Sequence, residues 1–488
     1  CFCETKAQID EATKGKKYHA DVATAATDDF YSNLPRHLES RADSRLYHMR
    51  AFNGWVKATQ IAELNPRIVV KGRVQSNHPL RVLDLACGKG GDLAKWSFHK
   101  RGLSTYCGID CARGSLKDAA LRIREKKRLR RKKVTLICAD LGADVPGRKQ
   151  SPSDSHMQEL LTWSLQDEAN METRPPEFKM VPGGGISDET FDVVSIQFAI
   201  HYMMSDRKRA RRFFHTVSEL LDIGGNLICT TIDARVLVGH LMSMGLDYHF
   251  DRDDDRKKNT VVEVGGGACR ITFEFDTVKR IIMQSDTEDL FGLQYKFALF
   301  EGSLHEGRDG YAVNLPEWLT PLPALKTLAK EAGLELEYVE NFHEFYDNRK
   351  EEQSARKALH NMHVLNSSGS ITKEEWDICR LYAAMKFRKV RESRINLDDQ
   401  QEFKESVKTS LETDNSKAKK MLPMAMGKAK KVVGEEKWKA LSSAEKKRLT
   451  EIELEKLSRY HANRWKTLQV NFKCVETTLL LGKVCVTV

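Results

Sequence analysis

The chain has 488 residues, 41% hydrophobic and 30% charged, with 79 Lys and Arg against 69 Asp and Glu. At roughly 100–200 residues per domain, this length allows two to four domains with ample apolar mass for a core. No run approaches the ~18 uninterrupted apolar residues of a membrane span. Collagen, coiled-coil and disulfide-scaffold compositions are excluded as well. The eleven cysteines are spread along the chain without the tight Cys-x-x-Cys pairs of a zinc site, so reduced thiols in an intracellular, soluble protein are expected. The first residues, Cys1 to Lys6, carry neither an initiator methionine nor a signal-peptide pattern, and an N-terminal truncation is expected.

Strand and helix patterns alternate from residue 80 onward, the mark of βαβ units around a parallel sheet. Arg81 to Ala86 reads as a buried strand, Cys87 to Asp92 as a glycine-rich turn, and Leu93 to Phe98 as the start of a helix. Tyr106 to Asp110 is a second strand ending in an acid. The run Arg122 to Lys133 follows, nine of its twelve residues basic. Such a run is a solvated helix face, a nuclear-import signal or a nucleic-acid contact. Val134 to Asp140 is a third strand, again ending in an acid. The polar stretch between Leu141 and Thr190, with Pro152, Pro175, Pro176 and Gly183 to Gly185, is far longer than a usual βα connection and reads as an insertion. Phe191 to Phe198 is a fourth strand, Gly224 to Thr231 a glycine turn leading into a fifth, Ala324 to Ala332 an amphipathic helix and Tyr382 to Arg388 a last strand. Beyond Ile395 the composition turns to Lys, Glu, Ser and Ala, and residues 401–466 carry 17 Lys and Arg against 10 Asp and Glu. Two basic regions favour a polyanionic partner.

The strongest local signal is Asp84-Leu85-Ala86-Cys87-Gly88-Lys89-Gly90 with Asp110 at the end of the next strand. Glycines let a turn pass close to a ligand, and an acid at a strand end accepts hydrogen bonds from ribose hydroxyls. The spacing does not fit the dinucleotide fingerprint Gly-x-Gly-x-x-Gly. It matches the Asp-x-Gly-x-Gly-x-Gly turn of S-adenosylmethionine-dependent methyltransferases, with Ala86 at the first Gly. Asp110 and Asp140 at successive strand ends complete a nucleoside site.

Six blocks carry a closer resemblance. Phe52-Asn53-Gly54-Trp55-Val56-Lys57, then Leu83 to Trp96, then Gln197 to Tyr202 are similar to the mRNA cap guanine-N7 methyltransferases. So are Leu290-Phe291-Gly292 with Tyr295-Lys296-Phe297, then Leu315 to Leu319, then Phe342 to Tyr346. They occur in the family's order over about Asp28 to Val390. The resemblance implies an α/β, Rossmann-like class I methyltransferase with a mostly parallel sheet and cap-binding insertions, followed by a mainly helical basic extension. It implies S-adenosylmethionine as methyl donor, no metal, no membrane, and 5′-capped RNA as substrate. Other capping or transcription proteins are implied partners, and the nucleus is the implied location. Implied cofactor contacts are Lys57, Ala86, Asp110, Asp140, Gln197 and Tyr202. Implied cap contacts are Asn53, Lys89, Lys95, Arg122, His201, Glu317 and Tyr382. The residue types suit these roles: lysines and an arginine beside a triphosphate bridge, Glu317 on the N1 and amine edge of guanine, tyrosines beside bases. Trp55 and Trp318 read as core packing.

Three positions depart from the family's pattern: Gly54 stands where a second Asn is usual, Ala86 where Gly is usual, and Ile232 where Pro is usual. None removes a charge that the reaction needs, so activity is expected. No catalytic acid or base is expected, because guanine N7 carries a lone pair and no proton. A catalytically weak cap- or RNA-binding protein, and a methyltransferase of another RNA or a small molecule, are the alternative readings. The expected divisions are a tail over 1–27, the methyltransferase domain over 28–395 with an insertion at 141–190, and a basic extension over 396–488. Within the extension, Gly434 to Ser442, Glu445-Lys446 and Arg459-Tyr460 resemble the second half of a high-mobility-group box. Residues 403–433, with Pro423, do not fit the first half, and a generic basic helical hairpin accounts for the segment equally. Such boxes bind the minor groove, so nucleic-acid contact by the extension is one expectation.

Overall fold

In a computed structural model of the chain, the described residues are 44–70, 73–125, 132–142, 157–161, 178–182, 190–244, 259–283, 290–302 and 310–397, together with Thr27, Phe30, Tyr31 and Leu129. The strands are β1 (Ile68–Val70), β2 (Arg73–Gln75), β3 (Leu80–Leu85), β4 (Leu103–Asp110), β5 (Lys133–Cys138), β6 (Met157–Leu161), β7 (Phe178–Pro182), β8 (Phe191–Gln197) and β9 (Leu221–Ile232). They continue as β10 (Thr260–Val264), β11 (Cys269–Phe273), β12 (Gln294–Phe300), β13 (Tyr311–Trp318), β14 (Leu334–Asn341) and β15 (Tyr382–Lys389). The helices are α1 (Tyr47–Glu63), α2 (Leu93–Ser97), α3 (Arg113–Glu125), α4 (Arg207–Leu220), α5 (Ala234–Ser243), α6 (Phe275–Met283), α7 (Leu322–Glu331), α8 (Phe342–Arg349), α9 (Gln353–Asn361) and α10 (Lys373–Cys379). No helix among the described residues is long and apolar enough to cross a membrane.

One compact unit comprises residues 1–237, 259–274 and 294–395. Its main sheet has the order β14-β15-β9-β8-β3-β4-β5-β6-β7. The five strands β3, β4, β5, β8 and β9 are mutually parallel, and β15 enters antiparallel between β14 and β9. This is the parallel sheet that the alternating strand and helix patterns predict, in the class I methyltransferase arrangement that the resemblance implies. Strands covered on both faces are apolar almost throughout, as Leu80, Val82, Leu83 and Leu85 of β3 and Val193, Val194 and Ile196 of β8 are. The chain leaves β3 toward β4 and β5, then returns on the other side through β8. The carboxyl ends of β3 and β8 therefore flank the switch point at which such sheets bind ligands.

Two features are additions to the parallel core. The hairpin β6–β7 extends the sheet edge beyond β5, so the polar stretch 141–190 contains two strands that its composition did not signal. A separate four-stranded antiparallel sheet, β10-β11-β12-β13, lies between β9 and β14 in the chain. Its strands alternate, with Cys269, Ile271 and Phe273 buried and Arg270 exposed, as a sheet covered on one face requires. The block Phe342 to Tyr346 has a structural part. Asn341 caps α8 in a capping box with Glu344, while Phe342 and Tyr346 pack against Phe52, and Phe345 against Trp55, of α1. Trp55 is buried and donates Nε1–H to the Ala355 carbonyl at 2.9 Å, a core role as its sequence context predicts. These contacts fix the axis of α1, and so the face that it turns to the site.

The second unit comprises 238–258, 275–293 and 396–488. In its described part, Arg280 of α6 donates to the carbonyls of Phe291 and Gly292, which ties that family block to the helix. The high-mobility-group resemblance and the tail 1–26 lie outside the described residues.

Candidate active site

A single cavity of about 630 Å³ runs from the turn after β3 to the inner face of β12 and β13. Its floor is the glycine turn. Gly88 and Gly90 take φ of +51° and +67°, and a Cβ at Gly88 or Gly91 would meet nothing within 4 Å, so the turn opens onto the cavity. Asp110 ends β4 beside it. Its two oxygens accept backbone N–H from Gly88 at 2.7 Å and Ala112 at 2.8 Å, which aims the carboxylate. Asp84 is buried beneath, receives the Tyr106 hydroxyl at 2.7 Å, and is pushed up to about 7 by burial and by nearby Asp92. An open glycine cradle beside an aimed carboxylate suits the ribose end of S-adenosylmethionine.

Helix α1 lines one wall with Arg50, Asn53, Gly54 and Lys57, spaced i, i+3, i+4 and i+7 on one face. Lys57 Nζ lies 2.8 Å from Asp92 Oδ2, and Lys95 Nζ lies 2.6 Å from Asp92 Oδ1. The two ammonium groups hold Asp92 well below the usual carboxylate range despite its burial. One carboxylate between two lysines leaves a positive charge for an anionic ligand. Lys89 pairs with Asp118 at 2.7 Å, and Arg122 lines the cavity without an ion-pair partner among the described residues. Asn53 Oδ1 is buried with no hydrogen-bond partner among them.

The far end is drier. Glu317 of β13 is 4% exposed; its Oε2 accepts the Tyr295 hydroxyl at 3.0 Å, and its Oε1 stands 3.5 Å from His201 Nε2. Burial pushes Glu317 up to about 8. The same desolvation pulls His201 down to about 3, so its ring is neutral. Neither ring nitrogen of His201 has a hydrogen-bond partner among the described residues. Tyr382 and Trp318 close the wall.

All six implied cofactor residues and all seven implied cap residues line this cavity. The structure adds partners that spacing could not give. Asp140 is gripped by Arg209, whose Nη1 and Nη2 lie 2.9 and 2.5 Å from its oxygens. Gln197 accepts the Thr230 hydroxyl at 3.0 Å, and Tyr202 Oη lies 3.4 Å from Tyr31 Oη. Of the three departures, Ala86 takes φ +53°, the left-handed region, so a methyl group sits where Gly is usual. At Gly54 the room of the absent side chain is taken by Met362, whose Cε would lie 3.1 Å from an added Cβ. Ile232 lines the cavity, and its carbonyl accepts the Thr320 hydroxyl at 3.2 Å. Sequence reasoning missed Asp92, Arg50, Tyr31, Tyr295 and Met362. Asp92 and Arg50 carry a local signal, as charged residues one helical turn from Lys95 and Asn53, and Tyr295 lies in one of the family's blocks; Tyr31 and Met362 carry none.

Residues 14–390 match the family defined by the mRNA (guanine-N(7))-methyltransferase domain. The chain is 30% identical over 376 residues to mRNA cap guanine-N(7) methyltransferase 1 of Oryza sativa subsp. japonica, across 75% of this chain and 81% of the relative. It is 28% identical over 394 residues to mRNA cap guanine-N(7) methyltransferase 1 of Arabidopsis thaliana, across 79% and 84%. It is 26% identical over 353 residues to the mRNA cap guanine-N(7) methyltransferase of Schizosaccharomyces pombe, across 72% and 78%. With the class I sheet and the cavity at its switch point, the match over more than two thirds of the chain assigns it to the S-adenosylmethionine-dependent mRNA (guanine-N7)-methyltransferase family.

Proposed function

We propose that this cavity holds both substrates of the family's reaction, and that the chain moves a methyl group from S-adenosylmethionine to N7 of the 5′-terminal guanine of capped RNA. The observation that carries the proposal is the buried pair Glu317 and His201, in one cavity with Asp110 and the open glycine turn. A carboxylate accepts from the N1–H and exocyclic amine of guanine, an edge that adenine lacks. Each charge-assisted bond of this kind contributes about 1.5–3 kcal/mol. Binding guanine favours the ionised form of Glu317, whereas the unliganded pocket favours the acid. The neutral His201 ring serves as one donor and one acceptor. Asn53 and Tyr382 complete the cap side, and Lys89, Lys95 and Arg122 stand beside the triphosphate bridge. Lys57, Ala86, Asp110, Asp140, Gln197 and Tyr202 surround the methyl donor.

When bound, S-adenosylmethionine supplies an electrophilic sulfonium methyl. The acceptor N7 offers a lone pair and carries no proton, so no residue is assigned as general acid or base and no metal is required. The chain's contribution is to hold acceptor and donor in line and to exclude water, which supplies up to about 7–11 kcal/mol of the barrier. The domain division that goes with this reading is a tail over 1–27, the methyltransferase domain over 28–395 with its insertion at 141–190, and a basic extension over 396–488. The nucleus, where capped transcripts arise, is the proposed location, with other capping or transcription proteins as partners and nucleic-acid contact by the extension.

Incubation with methyl-labelled S-adenosylmethionine and guanosine-capped or uncapped RNA tests the proposal. Label should appear on capped RNA alone, and Glu317→Ala should reduce its transfer severely. Equal labelling of uncapped RNA would assign the pocket to another acceptor.

A further inference from the structure

Glu317 sits among groups that the sequence does not bring together. Tyr295 lies directly opposite it in the antiparallel register of β12 and β13, and its hydroxyl donates to Glu317 Oε2 at 3.0 Å. The Tyr295 ring is buried, held by Phe273 of β11 at a centroid distance of 5.5 Å. Oε2 already accepts the Tyr295 hydrogen bond, so Oε1, which stands 3.5 Å from His201 Nε2, is the oxygen with both lone pairs open to a ligand. The titratable groups around Glu317 are Tyr295 from β12, Cys269 from β11, His201 and Tyr202 from the turn after β8, and Tyr382 from β15. Burial raises the thiol and the three phenols and lowers the imidazole, so all five are neutral through the physiological range. No cation faces the carboxylate among the described residues. Among the described residues, Tyr295 is therefore the one side chain whose hydrogen bond favours its ionised form.

We infer that Tyr295 is a positioning residue for guanine recognition: its hydroxyl fixes the Glu317 carboxylate so that Oε1 meets the guanine edge, and it favours the ionised carboxylate which that edge needs. The inference rests on the assignment of Glu317 to guanine. It follows that Tyr295→Phe, which keeps the ring and its packing, removes one hydrogen bond and little else. A hydrogen bond to a charged group is worth at least a tenfold change in equilibrium. The loss falls on cap recognition, not on the methyl donor or on the turnover of bound cap.

The test is steady-state kinetics of the full chain on a guanosine cap analogue between pH 6 and 9.5. Wild-type kcat/KM should rise with pH as Glu317 ionises. Tyr295→Phe should raise KM for the cap about tenfold and move the midpoint of that rise up by about one pH unit. kcat and KM for S-adenosylmethionine should change less than about threefold. Phe273→Leu, which disturbs the same packing without touching the hydroxyl, should lower thermal stability and leave the midpoint in place. Difluorotyrosine at position 295, a stronger donor on the same ring, should move the midpoint down. The inference is overturned if Tyr295→Phe folds and leaves both KM and midpoint unchanged, or if it shifts the profile equally in a Glu317→Gln background. A Glu317→Ala chain with normal cap KM would instead remove the assignment of Glu317 itself, and so separates the two failures.

Discussion

Ala86 and Glu317 show how single residues hold free energy that their sequence neighbours do not reveal. Ala86 is in the left-handed region at φ +53°, a conformation that costs an L-residue about 1–2 kcal/mol. Ala86→Gly relieves that strain but gives the unfolded chain more freedom, worth about 0.4–1 kcal/mol in the other direction. The expected net effect is a gain of about 0.5–1 kcal/mol, read as a higher denaturant midpoint at unchanged slope. Glu317 works in the opposite sense. Its proton is held more tightly in the folded state, up to about 8 against an ordinary 4.5. The folded state therefore binds more protons than the unfolded one between those values, and stability falls as pH rises through that window. Glu317→Gln should flatten this decline, visible as a smaller difference in unfolding free energy between pH 5 and pH 8.5. A decline of unchanged size in the variant would assign it to other groups.

At the scale of elements, helix α1 and the end of α9 act as one wall. Gly54 of α1 leaves room that Met362, which follows α9, fills. Restoring the asparagine usual in the family would place its Cβ 3.1 Å from Met362 Cε. Gly54→Asn alone is expected to raise KM for the cap several-fold. Gly54→Asn with Met362→Ala should recover most of that loss, because the thioether no longer competes for the space. Equal impairment in both chains would show that backbone displacement of α1, and not side-chain crowding, is responsible. The helix-to-turn linkage through Asp92 has a similar consequence. Asp92→Asn leaves Lys57 and Lys95 adjacent without their shared carboxylate, so both donor and cap KM should rise together.

For the whole molecule, the methyltransferase resemblance ends near residue 390, and residues 401–466 carry a net charge of +7. Deletion of 396–488 should leave transfer to a short cap analogue nearly intact, since the thirteen implied site residues all line the cavity of the first unit. KM for long RNA should rise, and the rise should shrink with salt, each lost phosphate contact reducing the log–log slope by about 0.7–0.9. Loss of activity on the cap analogue would place the extension against the catalytic domain.

The glycine turn, the two acids at strand ends and the alternation of apolar runs were legible in the sequence, because each is a local requirement of backbone geometry or of burial on both sheet faces. The thirteen expected site residues follow from the resemblance, nine of them within its ordered blocks, and the chain folds them onto one cavity. What the sequence could not supply were pairings across distance. Tyr295 meets Glu317 only through strand register, Arg209 meets Asp140 across 69 residues, Met362 meets Gly54 across two helices, and strands β6 and β7 are defined by pairing with each other and with β5. Local composition specifies turns, helix faces and buried strands. Which oxygen of a buried carboxylate is left open to a ligand, and how far burial shifts its proton, depends on neighbours that only the closed tertiary structure brings within hydrogen-bonding distance.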